Sequence, residues 1–127
     1  KWLNFPCRKG RVLYVNLEID PASCVNRFAE INRVQNGSSD MPEGITVWNL
    51  RGYPLLLDGL VDAMIPFMKG KNYDAVIIDP VYKVITGDEN SATEMSRFCS
   101  HFDRICMETG SAVIYCHHHS KGILSTI

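Results

Sequence analysis

The chain reads as a three-layer α/β domain with a mainly parallel central sheet, and three observations predict it. Short apolar runs containing β-branched residues alternate with longer amphipathic stretches. Those runs are near-continuously apolar, as parallel strands covered on both faces are. Three of them end abruptly on polar residues with chemistry of their own: Glu18, Asp79, and the triplet His117, His118, His119. The last observation bears on function, because open α/β sheets bind ligands in the crevice outside the C-terminal ends of their strands.

The elements follow in order. RVLYVNLEID (11 to 20) is a strand after the turn-like Arg8-Lys9-Gly10, and Asp20-Pro21 supplies a helix N-cap with proline at the first helical position. Ala22, Val25, Phe28, Ala29 and Val34 give the next stretch a helical stripe, which dissolves at Asn36-Gly37-Ser38-Ser39. ITVWNL (45 to 50) is a second strand. Leu56, Leu60, Val61, Met64 and Met68 mark a second helix, which Pro66 should kink or stop. YDAVIIDP (73 to 80) is a third strand. After the turn-rich Thr86-Gly87-Asp88-Glu89-Asn90, a third helix carries Met95, Phe98, Cys99, Phe102, Ile105 and Cys106 on one stripe and ends at Gly110. VIYC (113 to 116), running into the histidines, is the fourth strand. At least four parallel strands are expected.

With 127 residues, 46% of them apolar and 21% charged, the chain is long enough for one globular domain with a core. A formal net charge of -1 excludes the strongly basic footprint of many autonomous nucleic-acid binders. The five cysteines (Cys7, Cys24, Cys99, Cys106, Cys116) are odd in number, form no CxxC and sit among apolar neighbours, which predicts buried thiols in a reducing cytoplasm. No apolar run reaches the roughly 18 residues of a membrane span, and no signal-peptide pattern opens the chain. A cytoplasmic protein is expected. KWLNFPCRKG (1 to 10) begins as though in the tail of a helix, and ILSTI (123 to 127) is an isolated strand-like run. Further residues before Lys1 and a mobile loop flanked by Gly122 and Ile123 are therefore expected.

Each polar strand end admits more than one chemistry. An aspartate after four apolar residues, as at Asp79, can hold magnesium directly or through water, and can equally cap a turn. Glu18, at a strand tip between Leu17 and Ile19, points opposite to them by strand alternation, and there it could orient or deprotonate an attacking water; otherwise it is a solvated edge residue or an ion-pair partner of Arg27 or Arg51. Strand alternation prevents all three histidines from converging on one metal. His117 and His119 with Asp79 could make a hydrolase-type zinc site, one imidazole could contact or report a phosphate, or the triplet could be a solvated strand end.

Four blocks, NLEID at Glu18, WNLRG at Arg51, VIIDPVYKVITGDEN around Asp79, and YCHHHSKG, together resemble the RecA-like ATPase core of the RepA type. That family comprises hexameric replicative helicases and their relatives on plasmids, phages and mobile elements. The resemblance implies a RecA-like P-loop NTPase fold, with ATP and Mg2+ as cofactors. It places Glu18 as the residue that activates the hydrolytic water and Asp79 as the Walker B aspartate near magnesium. His118, or His117 beside it, becomes the sensor of the γ-phosphate, on a strand lying between the P-loop strand and the Walker B strand. Ser120 and Lys121 open the DNA-facing loop. Single-stranded DNA and a homo-oligomer, as large as a hexamer, are the implied partners, with no membrane.

The P-loop itself has no match in these residues, since Gly70-Lys71 stands in a helix-to-strand connection without the preceding glycine pattern. The P-loop strand is expected just before Lys1, and no arginine finger is matched. Two alternatives stand beside the motor: a non-motor RecA-like module that binds nucleotide as a regulator, and a zinc hydrolase built on the histidines.

Overall fold

The computed structural model describes residues 1–87 and 91–118. Strands and helices alternate as β1 (Val12–Asn16), α1 (Pro21–Asn36), β2 (Ile45–Asn49), α2 (Leu57–Met68), β3 (Ala75–Asp79), α3 (Ala92–Thr109) and β4 (Ala112–Tyr115), with a 3-10 turn, Val81–Lys83, after β3. The strands form one parallel sheet in the order β2-β1-β3-β4. The α/β fold with a parallel sheet is as expected. The register sets Asn16 beside both Asn49 and Asp79, so three strands finish level.

Alternation along the strands divides the sheet into two faces. Leu13, Val15, Val76 and Ile78 are fully buried on one face, in a core with Leu60, Val61, Met64 and Ile65 of α2 and Ile105 of α3. Burying each such aliphatic side chain stabilises the fold by about 1.5–3 kcal/mol. Tyr14 lies on the other face, where its ring meets Phe28 of α1 edge-on at 5.0 Å. Phe98 and Phe102 of α3 pack on Tyr115 of β4, with centroids 5.5 and 5.1 Å apart.

Local chemistry sets the helix boundaries. Asp20 accepts a hydrogen bond from the Ser23 N–H at 2.9 Å, and α1 starts at Pro21. Gly110, at φ 71°, lets the chain leave α3 while its N–H caps the Cys106 carbonyl at 2.9 Å. Where β1 is entered, a Cβ on Gly10 would come within 2.7 Å of an Asp74 carboxylate oxygen, so a side chain there would displace that carboxylate.

Several expectations are corrected. Residues 1–10 contain no helical tail: Trp2 and Phe5 exchange backbone hydrogen bonds of 3.0 and 2.8 Å in a tight turn. On α1 the buried residues are Cys24 and Asn32, whereas Val25 and Val34 are exposed, because the helix crosses only part of its sheet face. Pro66 does not stop α2, which continues to Met68 and is anchored by the buried Met64, Ile65 and Met68. Only Cys24 of the five free cysteines is buried; Cys7, Cys99, Cys106 and Cys116 belong to exposed residues. The 86-to-90 loop is described only to Gly87, and the strand-like run 123 to 127, with the proposed loop between Gly122 and Ile123, lies outside the described residues.

Candidate active site

β1 stops at Asn16 because that side chain bonds the backbone beyond it. Its Nδ2 donates to the Ile19 carbonyl at 2.6 Å, its Oδ1 accepts from the Ile19 N–H at 3.0 Å, and Nδ2 also reaches Asn49 Oδ1 at 2.9 Å. Residues 17–19 are thereby folded into a bend. Glu18 accordingly sits beyond the strand, and strand alternation does not set its direction. Leu17 still donates to the Asp79 carbonyl at 2.9 Å, which keeps this bend against the end of β3.

β4 likewise ends at Tyr115, two residues before the first histidine, so alternation does not govern the histidines either. Backbone bonds continue for one residue: Cys116 N–H to the Ile78 carbonyl at 3.0 Å, and Val81 N–H to the Cys116 carbonyl at 2.8 Å. The second bond ties the exit of β4 to the 3-10 turn that carries Tyr82. This brings His118 to Glu18, with Nε2 3.6 Å from Oε2. Tyr82 completes the group by donating to the same Oε2 at 3.3 Å and setting its ring edge-on to the imidazole, centroids 5.2 Å apart. The side chains of Glu18 and His118 are 43% and 68% exposed, so water reaches both. Glu18 also borders a hollow of about 630 Å³ that Arg51, Tyr53 and Lys83 help to line.

His117 is separated from this group. Its Nδ1 lies 2.7 Å from the His118 carbonyl, and its residue borders a different cleft, of about 440 Å³, with Phe98, His101 and Tyr115. Of the two sensor candidates, His118 is the one beside Glu18.

Asp79 ends β3, half-buried on the α1 face of the sheet. The Tyr14 hydroxyl donates to its Oδ2. Burial, then this bond and the carboxylate charge, push the Tyr14 phenol above its ordinary range. Desolvation of the sulfur, followed by the charge of Asp79 and a hydrogen bond to it, raises the Cys116 thiol as well. Two neutral groups, the Tyr14 phenol and the Cys116 thiol, thus stand beside Asp79.

Sequence reasoning missed Tyr14, Tyr82 and the turn-forming role of Asn16. Tyr14 could have been found once β1 and β3 were known to be neighbours, since it shares a face with Asp79; nothing in the spacing of Tyr82 announces its partner. Ser120, Lys121 and His119 lie outside the described residues. Among the described residues no three histidine, cysteine or acidic side chains are gathered to hold a metal ion, and the zinc alternative requires His119.

A family model for an AAA domain matches residues 1–122. The chain belongs to the AAA domain family. A search of curated proteins gives no match. As an AAA domain the chain is an ATPase domain of the P-loop type, and the family implies a nucleotide ligand and, usually, magnesium. The match is to the AAA domain and does not single out the RepA type. Asp79 fits the magnesium role in its donor chemistry, a carboxylate with hard oxygen ligands at a strand end. No helix among the described residues is long and apolar enough to cross a membrane.

Proposed function

We propose that this AAA domain hydrolyses ATP with Glu18 as the base that orders the attacking water, Asp79 as the magnesium ligand and His118 as the sensor of the γ-phosphate. The observation that carries the reading is the meeting of Glu18 and His118 at 3.6 Å, from distant parts of the chain, beside the end of the strand that bears Asp79. Magnesium held at Asp79 would supply charge neutralisation on the phosphates. Glu18 is exposed enough to reach a water and is engaged through one oxygen, Oε2, in the hydrogen bond with Tyr82 and the approach to His118. A histidine in contact with that carboxylate can pass a change at the phosphate to the chain that follows it, where Ser120 and Lys121 would face DNA.

In the finer form of the proposal the domain is a motor or loader on single-stranded DNA, acting as a homo-oligomer up to a hexamer in replication or maintenance of a plasmid, phage or mobile element. The four sequence blocks support that form. Replacing Glu18→Gln tests the chemistry. ATP binding should persist while hydrolysis falls by about 10²–10⁴-fold, the usual contribution of a positioned base. Unchanged hydrolysis would remove Glu18 from the mechanism. Stimulation of the wild-type rate by single-stranded DNA tests the motor, and a low rate that DNA does not alter would favour the regulatory module.

A further inference from the structure

We propose that Tyr14 is a positioning residue for the nucleotide-bound cation, acting through the Asp79 carboxylate. The inference rests on the reading of Asp79 as the magnesium ligand. Tyr14 stands on β1, in register with Ile77 and two residues before the strand end, so its side chain emerges on the same sheet face as Asp79. Its hydroxyl donates to Asp79 Oδ2. Its ring is fixed from the far side by the edge-on contact with Phe28 of α1. A rigid aromatic held between a helix and a strand thus places one hydrogen-bond donor on one oxygen of the carboxylate.

A phenylalanine would fill the same space and keep the contact with Phe28 without supplying that donor, so the hydroxyl is the part that packing does not explain. Its effect on a ligand carboxylate is orientational. With Oδ2 occupied, rotation about the side chain is restrained and the remaining lone pairs keep one direction. Partners of this kind, one shell out from a metal ligand, typically change metal affinity or activity by about 10–100-fold. The Cys116 thiol beside the same carboxylate is the weaker donor and cannot replace a phenol.

The test measures binding of a fluorescent ATP analogue by the protein as a function of MgCl2 concentration, for wild type, Tyr14→Phe, Asp79→Asn and the double variant. Phenylalanine keeps the ring and its Phe28 contact. The expected result is that Tyr14→Phe raises the half-saturating Mg2+ concentration at least about tenfold, leaves analogue binding without Mg2+ unchanged, and adds nothing further in the Asp79→Asn background. An unchanged Mg2+ midpoint in Tyr14→Phe, with a shifted one in Asp79→Asn, overturns the role of Tyr14 and leaves that of Asp79 standing. An unchanged midpoint in Asp79→Asn overturns the magnesium reading itself and Tyr14 with it. If Tyr14→Phe weakens binding equally with and without Mg2+, the tyrosine is structural only and the proposal fails. Additive shifts in the double variant would show that Tyr14 does not act through Asp79.

Discussion

The two ends of the sheet treat their acidic residues differently. At the N-terminal end, Asp74 accepts the Arg11 N–H at 2.9 Å, pairs with Arg8, and lies against Gly10, while its backbone bonds Arg11 and Ala112 at 2.8 and 2.9 Å. Next to it Ser111 is buried and donates to the Tyr73 carbonyl at 2.7 Å. At the C-terminal end, Glu18 is held by one 3.3 Å bond from Tyr82 and by His118 at 3.6 Å, all in contact with solvent. One end spends its polar groups on closing the fold. The other fixes Asp79 through Tyr14 but leaves Glu18 able to exchange partners, which a group that must meet water requires.

Ser111→Ala should give the largest loss of stability among changes at these two ends. It removes the donor to a buried carbonyl, and leaving such a group unsatisfied costs about 1–3 kcal/mol. Denaturant unfolding measures it. ATP hydrolysis by the folded fraction should be unchanged, since the substitution lies at the opposite end of the strands. A loss of turnover without a loss of stability would break the division between the ends.

Acid should act on the N-terminal end next. The Arg11 N–H, and after it the Arg8 guanidinium, hold the Asp74 carboxyl below its usual range. A carboxyl whose folded value lies below its unfolded one contributes stability that is present above the unfolded value, about 3.9. That stability is lost as pH falls through the lower, folded value. Glu108, held low by Arg104 and Lys69, adds to the same trend. Asp74→Asn should be less stable at neutral pH and flatter in a melting-temperature profile below about pH 4. An unchanged acid limb would remove Asp74 as its source.

Much of this contrast was legible in the chain, and the remainder was hidden for a definite reason. Glu18, Asp79 and His118 stood out as candidates because each follows an apolar run at the C-terminal end of a strand, where open α/β sheets form their crevices. Asp20-Pro21 and Gly110 announced the helix ends because capping is local. Tyr14 and Tyr82 did not, because their partners stand 65 and 64 positions away, and which strand lies beside which is decided by the sheet order. The alternation argument for Glu18 does not apply, for a related reason. Alternation governs a side chain only while the strand lasts, and the Asn16 side chain ends β1 two residues early. The α1 stripe was misread because helical spacing gives a face but not how much of the sheet that face covers.

Tyr82→Phe should have the smallest effect and is the most discriminating. The hydroxyl donates to an exposed carboxylate at 3.3 Å, and surface substitutions of this kind usually change stability by less than about 0.5 kcal/mol. Its ring, edge-on to His118, would remain. If Tyr82 only holds Glu18 in the resting arrangement, releasing it should leave hydrolysis unchanged or raise it slightly, because the carboxylate reaches its water with one fewer partner to leave. If Tyr82 aims Glu18 at that water, hydrolysis should fall while ATP binding is retained. Steady-state turnover beside the Glu18→Gln variant separates the two. A fall approaching that of Glu18→Gln would mean that the open end of the sheet is as tightly organised as the closed one, because a single exposed hydroxyl would then be setting the geometry of the base.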